Sequence, residues 1–277
     1  MIEIPESLTL SRQGARLLVG KTVEEVIPPT SPHKFTWYNG APESYSAMLA
    51  GKTVTGVHGY GSFVEIDIGN DAHILVGDGT NIRYFESEKD APIKHQLAIV
   101  MKDGSALVFT VAMYGGIYAY TGTFDNPYYQ GARTKIPPLD DRFDEAYFRG
   151  IVKGMKKDVS VKALLATEQR IPGLGNGVLQ DILFEAGIHP KRKISTLNDS
   201  QWGTLFLALK GTLAAMANAG GRDTEKDMLG NWGGYKSLLS KNTYKSPCPR
   251  CGGEIVKEAY LGGTVYYCPV CQPMKEK

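Results

Sequence analysis

The first 247 residues contain no cysteine, and the four cysteines of the chain all lie within its last 30 residues. This distribution excludes a disulfide-rich scaffold for most of the chain. No apolar run approaches the roughly 18 to 20 residues that a membrane-spanning helix requires. A basic N-terminal region is also lacking, because Glu3 and Glu6 stand where a signal peptide would carry positive charge. We therefore expect a folded cytoplasmic protein.

A strong net charge is missing as well, since 31 Lys/Arg against 29 Asp/Glu in 277 residues leave only +2. The charge is unevenly spread along the chain. Residues 151–277 carry 18 basic and 11 acidic side chains, whereas residues 1–150 carry 13 and 18. A polyanionic partner is therefore expected to meet the second half, although scattered solvated lysines would give the same count.

The cysteines form two pairs, Cys248-Pro-Arg-Cys251 and Cys268-Pro-Val-Cys271, with sixteen residues between the pairs. Two such knuckles joined by a hairpin bring four thiolates together tetrahedrally, which predicts one zinc ion. All four positions around the ion would be filled, so the site would be structural. Disulfides or a redox-active pair are the alternatives.

The hydrophobic pattern changes period near the middle of the chain. Val64, Ile66 and Ile68 alternate with acidic residues, and strand-like runs follow at His73–Val76, Gln96–Met101 and Ala106–Tyr120. Beyond a proline-rich linker near residue 137 the spacing becomes helical. We expect a multidomain α+β protein: an N-terminal helix with an antiparallel β-sandwich (1–135), a helical domain (136–244) and a zinc hairpin (245–277).

Two short segments are suited to chemistry. Pro5 after Glu3 predicts a helix start, and the carboxylate near the chain's α-amino group is either a helix entrance or half of a reactive pair. In the stretch Arg170-Ile-Pro-Gly-Leu-Gly-Asn176, two glycines directly precede a predicted helix. Such a loop binds an anion with its free N–H groups, or is a plain turn with Asn176 as the helix cap.

Taken together, these features resemble the formamidopyrimidine-DNA glycosylase and endonuclease VIII family. The segment "KALLATEQRIPGLGNGVLQDILFEAGIHP" is similar to its helix–two-turn–helix motif, and "CPRCGGEIVKEAYLGGTVYYCPVCQ" to its zinc finger. The resemblance implies a monomer that binds damaged or abasic duplex DNA in base-excision repair. In this family the enzyme flips out the damaged base, cuts its glycosidic bond and nicks the backbone. The α-amine of an N-terminal proline forms a Schiff base with the sugar, and the next residue, a glutamate, assists proton transfer.

Several residues match the family pattern. Glu3 matches the catalytic glutamate, and the resemblance assigns phosphate contacts to Lys162 and Asn176. The matching zinc ligands are Cys248, Cys251, Cys268 and Cys271.

Other positions depart from it. Ile2 replaces the nucleophilic proline, and its bulk should block removal of Met1. Phosphate-binding, void-filling and wedge positions of the family are taken here by Ser62, Leu75, Asp78, Tyr114, Gly115 and Gly263.

Three functional hypotheses remain at this point. The chain is a DNA glycosylase and abasic-site lyase that uses the Met1 α-amine with Glu3, or a non-catalytic DNA-binding or scaffold relative. A third possibility is a new nucleotide-directed activity in the cleft that the family uses for DNA. It rests on two loops rich in aromatic residues, one of which also contains a histidine. These loops contain His33, Lys34, Trp37 and Tyr38, and Tyr128 and Tyr129.

Overall fold

Alternating apolar residues build the first half of the chain into two sheets around one core. The computed structural model describes residues 1–77, 79–153 and 155–274. In the strand Phe63–Ile68, Val64, Ile66 and Ile68 point into the core, while the intervening residues face away from it. The described strands of this half are β1 (Val23–Ile27), β2 (Thr36–Tyr38), β3 (Val54–Tyr60), β4 (Phe63–Ile68), β5 (Ala72–Gly77), β6 (Thr80–Phe85), β7 (Leu97–Met101), β8 (Ala106–Val111) and β9 (Gly115–Thr121).

The sheets have the orders β1-β7-β8-β6 and β2-β9-β5-β4-β3. Every pairing is antiparallel except that of β2 with β9, which is parallel. The expected sandwich is therefore present, with one parallel strand at an edge. The run Ala106–Tyr120 is not one strand, because the chain leaves the first sheet after Val111 and enters the second at Gly115.

The second half is helical. Its main helices are α4 (Glu145–Lys153), α5 (Val161–Ala166), α6 (Asn176–Glu185) and α7 (Asp199–Asn218); the shorter α2 (Tyr45–Leu49) and α3 (Pro127–Thr134) belong to the first half. Leu205, Leu209 and Leu213 recur along α7 and are fully buried against Ile182 of α6. These apolar stripes form a second core, as their helical spacing predicts.

The N-terminal helix α1 (Ile4–Leu17) contributes to both cores. Leu10 packs with the sandwich residues and Ile4 with the helical ones. The N–H of Ile4 also donates to the carbonyl of Gly173 at 3.0 Å. Close to it, the backbone of Gly173 touches that of Gly61 in the β3–β4 turn, and a Cβ on either glycine would overlap the other chain segment.

The cysteines lie at the base of a C-terminal hairpin made of β10 (Val256–Tyr260) and β11 (Gly263–Tyr267). Phe184 of α6, Leu239 and Ile255 form a small third core with the two buried cysteines, Cys248 and Cys268. This core joins the hairpin to α6. Within the described residues, none of the helices has the length and apolar character needed to cross a bilayer.

Candidate functional site

The start of α6 is shaped to receive a carboxylate. Glu3 Oε1 accepts a hydrogen bond from the N–H of Gly177, and Oε2 accepts one from Val178, both at 2.8 Å. A Cβ at Gly175 would lie 2.5 Å from Glu3 Oε1, and one at Gly177 would lie 2.9 Å from it. The two glycines are therefore needed for this approach. A negative group at a helix N-terminus is favoured by the helix dipole, so Glu3 caps a helix distant in sequence.

Arg222 holds the same carboxylate from another side. Its Nη1 lies 3.6 Å from Glu3 Oε2, while Nε and Nη2 donate to the two carboxylate oxygens of Glu6 at 3.0 and 2.7 Å. All three side chains are buried. A Cβ at Gly177 would overlap Arg222 Nη1, so glycine at that position is also required by the guanidinium. We call Glu3, Glu6 and Arg222 the buried triad.

The charges of the buried triad depend on each other. Burial raises the pKa of Glu3, and the positive charge of Arg222 opposes that rise. Burial also works against the charge of Arg222, but the carboxylates of Glu3 and Glu6 outweigh it and raise the pKa of the guanidinium. A buried carboxyl group with a raised pKa is able to hold and release a proton, as general acid–base catalysis requires.

The amino end lies beside the buried triad. The Met1 ammonium forms an ion pair with Glu225, and the Met1 carbonyl accepts a long hydrogen bond of 3.4 Å from Arg222 Nη2. Ile2, at the position of the family's proline, is 4% exposed and packs in the sandwich core. The Met1 amine, a candidate nucleophile in the sequence-based prediction, is therefore accessible but bound to a carboxylate.

The side chain of Lys162, the predicted phosphate-binding lysine, points to the C-terminal hairpin. Its side chain is fully buried in α5, and its ammonium donates to the carbonyls of Tyr260 and Leu261 in the β10–β11 turn. Burial lowers the pKa of Lys162. Leu261 has a positive φ of 48°, which is unfavourable for a residue with a side chain, so the lysine contacts a strained turn.

Asn176, the first residue of α6, faces the same hairpin. Its Oδ1 is buried and has no hydrogen-bond partner among the described residues. A Cβ at Gly263 would overlap Asn176 Nδ2 and lie 3.0 Å from Cγ. With Asn176 in this position there is no space at residue 263 for the arginine that the family pattern has there. Oδ1 accepts hydrogen bonds, whereas the Nδ2 group next to Gly263 donates them, so an anion at this site would be bound by Nδ2.

The four cysteines fit a tetrahedral metal ion. Their ligand atoms all lie within 4.8 Å of one another, and the Cys248–Cys271 and Cys251–Cys268 sulfur distances are 3.8 and 3.5 Å. Four sulfurs at about 2.3 Å from one zinc ion would be about 3.8 Å apart, whereas a disulfide needs about 2.05 Å. Burial opposes ionisation of Cys248, but N–H groups of Cys251 and Arg250 bring the pKa of its thiol to about 7.

The positions that depart from the family pattern lie in different environments. Ser62, Tyr114 and Gly115 line one cavity, whereas Leu75 is fully buried. Asp78 lies outside the described residues.

The two aromatic loops meet at this cavity. Trp37 from one and Tyr128 from the other line it. Tyr38 is structural, because its hydroxyl donates to the Gln96 carbonyl at 2.8 Å and burial raises its pKa to about 12. Tyr129 is fully buried and donates to Glu65.

Two residues of the site, Arg222 and Glu225, are absent from the sequence-based prediction. The available signal is the pair Gly220-Gly221 directly before Arg222, since both glycines have positive φ, 76° and 96°. Adjacent glycines mark a backbone turn, but nothing local shows that the next side chain reaches the amino end of the chain.

Comparisons with known proteins agree with this architecture. A family model described as "Formamidopyrimidine-DNA glycosylase H2TH domain" matches residues 136–227. The chain is 30% identical to the formamidopyrimidine-DNA glycosylase of Enterococcus faecalis, covering 99% of this chain and 98% of the relative. It is also 30% identical to that of Geobacillus kaustophilus, covering 98% and 100%.

Among solved structures, the chain resembles Lactococcus lactis Fpg in a complex with DNA containing an abasic site. The TM-score is 0.83 at 24% identity, over 98% of this chain and 99% of the other. A complex of the wild-type Lactococcus lactis protein with DNA containing N7-benzyl-Fapy-dG gives a TM-score of 0.83 at 25% identity, with the same coverage. The folds match over almost their whole length.

Proposed function

The chain belongs to the formamidopyrimidine-DNA glycosylase family, and from this membership we propose that it binds damaged duplex DNA as a monomer in base-excision repair. The observation that carries the proposal is the arrangement at the start of α6. There the Asn176 side chain faces the turn of a four-cysteine hairpin, and its Nδ2, next to Gly263, is the donor that a phosphate oxygen would use. The site lies in the half of the chain that carries the excess positive charge.

The phosphate site would use the side chain of Asn176 more than the helix N-terminus. Glu3 already occupies the N–H groups of Gly177 and Val178, which would otherwise attract an anion. A phosphate near α6 must therefore be bound by the Asn176 side chain and by groups of the hairpin. We assign Lys162 a positioning role in this site, because its ammonium is covered and binds the carbonyls of the hairpin turn.

The hairpin would be held by one structural zinc ion. Cys248, Cys251, Cys268 and Cys271 would be its ligands, and the bound ion would supply folding energy to a segment with few apolar residues. The chain's own contribution is the small core of Phe184, Leu239 and Ile255, which fixes the hairpin on α6. We keep the domain boundaries at 1–135, 136–244 and 245–277, so that the hairpin forms a unit of its own.

We further propose that the chain lacks the family's Schiff-base chemistry at residue 2. The nitrogen of Ile2 is a peptide nitrogen, and its side chain is buried in the sandwich core. Attack geometry tolerates little error, since a misplacement of about 1 Å is able to cost roughly 100-fold in rate.

A second candidate, an abasic-site lyase that uses the Met1 amine, is favoured by one observation. Met1 contacts Arg222, which also holds Glu3, so the amine and the catalytic glutamate of the family belong to one connected cluster. To attack a sugar, the amine must first leave Glu225 and lose its proton.

Duplex binding is tested by fluorescence anisotropy with a labelled duplex that contains a tetrahydrofuran abasic analogue. We expect the logarithm of Kd to rise with the logarithm of salt, with a slope near 0.9 per phosphate contact. Asn176→Ala should weaken binding by roughly tenfold or more, the value of one charge-assisted hydrogen bond. The matched control, Asn70→Ala in the exposed β4–β5 turn, should bind like the wild type. Absence of binding at low salt would refute the proposed function.

Borohydride trapping on an abasic-site duplex separates the two catalytic candidates. No covalent adduct is expected if residue 2 was the only reactive position. An adduct that is lost in Glu3→Gln while duplex binding is intact would establish the Met1 route instead. On that route Glu225→Gln should keep or increase the adduct, because it releases the amine from its carboxylate partner. Mass spectrometry of the adduct would identify the residue that carries the sugar.

A further inference from the structure

The face of the five-stranded sheet that points away from the sandwich core carries acidic and imidazole side chains. Glu65 and Asp67 alternate with the core residues of β4 and therefore project from this face. His73 of β5 is the register partner of Asp67, and His58 of β3 is the register partner of Glu65. Strand pairing thus places two carboxylates and two imidazoles side by side on three adjacent strands. We call these four residues the carboxylate–imidazole cluster.

Three residues of the cluster offer ligand atoms at separations that suit a metal ion. One ligand atom from each of Glu65, Asp67 and His73 lies within 4.8 Å of the other two. His73 Nδ1 and Asp67 Oδ1 are 2.8 Å apart. Ligand atoms bound at about 2.1 Å to one ion lie roughly 3 to 4.2 Å from each other. Small rotations of these side chains would therefore let them share one ion.

His58 holds the second oxygen of Asp67. Its Nε2 lies 3.0 Å from Oδ2, whereas Oδ1 faces His73. A Cβ at Gly56 would lie 2.8 Å from His58 Nε2 and 2.9 Å from Asp67 Oδ2, so this contact needs a glycine there. The pairing of β3 with β4 also shifts register at Gly56. Such irregularities turn side chains in new directions, and here the backbone accommodates the contact between His58 and Asp67.

Two tyrosines hold the buried carboxylate of Glu65. The hydroxyls of Tyr120 in β9 and Tyr129 in α3 both donate to Oε2, so neither of them uses Oε1. The Tyr120 ring also stacks on His73, with centroids 4.9 Å apart and 23° between the planes. Tyr120 therefore orients two of the three candidate ligands. Metal-binding carboxylates and imidazoles are usually oriented by hydrogen-bonding partners of this kind.

The charge and exposure of the cluster suit a cation. Asp67 and His73 are 25% and 21% exposed, so an ion would reach them from solvent and keep water on its open side. Arg133 lies over the Tyr129 ring, 5.7 Å from its centroid, and brings one positive charge close to Glu65. With both imidazoles neutral, the two carboxylates outweigh this charge. A divalent cation would compensate the remainder.

We propose that Glu65, Asp67 and His73 bind one divalent transition-metal ion. Two carboxylate oxygens and one imidazole nitrogen form a mixed set, since carboxylates suit Mn²⁺ and imidazole suits the later metals of the row. Without the ion, a proton joins His73 Nδ1 to Asp67 Oδ1. The ion takes the place of this proton, and the neutral ring then carries its proton on Nε2. The bound ion would link β4 to β5 on a face that the cysteine hairpin does not touch.

The test is a titration of the zinc-loaded full-length protein with Mn²⁺, followed by the electron paramagnetic resonance signal of the free ion. We expect one Mn²⁺ per chain and an unchanged zinc content, because thiolates favour zinc over Mn²⁺. Asp67→Asn and His73→Phe should each weaken binding by at least roughly 10- to 100-fold, the cost of losing even an outer partner. The matched control, Glu24→Gln at an exposed position of β1, should bind Mn²⁺ like the wild type.

Two further measurements separate metal binding from a purely structural role. Tyr129→Phe keeps the buried ring but removes a donor to Glu65, and it should weaken Mn²⁺ binding by roughly tenfold. Mn²⁺ should raise the Tm of the wild type but not that of Asp67→Asn, because only a bound ion stabilises the folded state. Circular dichroism and the zinc content show whether each variant is folded, and His73→Phe retains a ring against Tyr120.

Three results would overturn the proposal. The first is a wild type that binds no Mn²⁺, and the second is equal affinity of the wild type, Asp67→Asn and His73→Phe. The third is release of zinc in step with uptake of Mn²⁺, which would place the ion in the cysteine hairpin. None of these results depends on DNA, so failure of duplex binding would leave this inference standing.

Discussion

At the scale of single residues, the buried triad explains why a glutamate stands at the third position of the chain. Glu3 caps α6 and is held by Arg222, so it links the amino end to the helical half. The position therefore has a structural role whether or not the chain carries out chemistry. The helix-entrance interpretation of Glu3 and its interpretation as a reactive group are compatible.

Replacing Glu3→Gln should lower the free energy of unfolding by about 2 to 3 kcal/mol. The glutamine amide is able to accept from only one of the N–H groups of Gly177 and Val178, and its NH2 group would face the other, so one buried donor loses its acceptor. Urea unfolding at pH 7 measures the loss. The control, Glu24→Gln on the exposed edge of β1, should stay within about 0.5 kcal/mol of the wild type. Equal stability of the two variants would contradict the capping role.

Gly177→Ala should destabilise the protein by about 3 kcal/mol, because the new methyl group would overlap Arg222 Nη1 and crowd Glu3 in a closely packed site. Gly211→Ala is the matched control. Nothing lies within 4 Å of a Cβ at that exposed position of α7, so alanine should stabilise it by about 0.5 to 1 kcal/mol. In thermal unfolding, Gly177→Ala should lower Tm and Gly211→Ala should raise it. A higher Tm for Gly177→Ala would show that the side chains of the buried triad are able to shift and make room.

At the scale of elements, two buried charged residues fix the hairpin and the segment before it. Lys162 of α5 binds the β10–β11 turn, and Asp181 of α6 accepts N–H groups from Leu238 and Leu239 at 2.9 and 2.8 Å. Each charge therefore joins a helix to backbone that has no regular partner of its own.

Lys162→Met should loosen the hairpin turn while leaving the helices intact. Without the ammonium, the carbonyls of Tyr260 and Leu261 lose their donor, and Leu261 keeps an unfavourable φ. We expect faster hydrogen exchange at the amides of residues 256–267 and roughly tenfold weaker duplex binding. Lys102→Met, in the exposed turn after β7, serves as the control. Unchanged exchange together with weakened binding would mean that Lys162 contacts phosphate directly.

The raised pKa of Asp181 predicts that the free energy of unfolding depends on pH. Burial raises its pKa to about 6, above the ordinary value of 3.8, so the folded state binds an extra proton between these values. This group's contribution to stability is therefore greatest below about pH 4 and is lost as the pH rises through 6. The free energy of unfolding of the wild type minus that of Asp181→Asn should fall by about 3 kcal/mol between pH 4 and pH 7.

At the scale of the whole molecule, local sequence patterns predicted the two cores and the hairpin, whereas long-range contacts determine how these units pack together. Apolar alternation in β4 and helical spacing in α7 indicated the two cores, and the cysteine spacing indicated the hairpin. The break after Val111 was missed because no glycine or proline marks it before Gly115. Arg222 was missed because its partners lie more than 200 residues away in sequence. No local signal records such a pairing.

Removal of metal tests the zinc hairpin and its effect on the rest of the molecule. We expect one zinc ion per chain by elemental analysis, and none in a Cys268→Ser variant. Loss of the ion should unfold the hairpin, lower Tm and abolish tight duplex binding, while the sandwich keeps its β-sheet signal in circular dichroism. A metal-free protein of full stability and affinity would overturn the finger assignment. Ser44→Ala, at an exposed position in the N-terminal half, is the mutational control.

The position of α1 has a mechanical consequence. Because Ile4 belongs to one core and Leu10 to the other, the two halves cannot be pulled straight apart without exposing apolar side chains to water. If the two halves move apart, we expect them to rotate about α1, because this motion keeps Ile4 and Leu10 packed in their cores. The first seventeen residues would then lie along the axis of any such opening, so the amino terminus and the buried triad would move least and the distant parts of the two halves most.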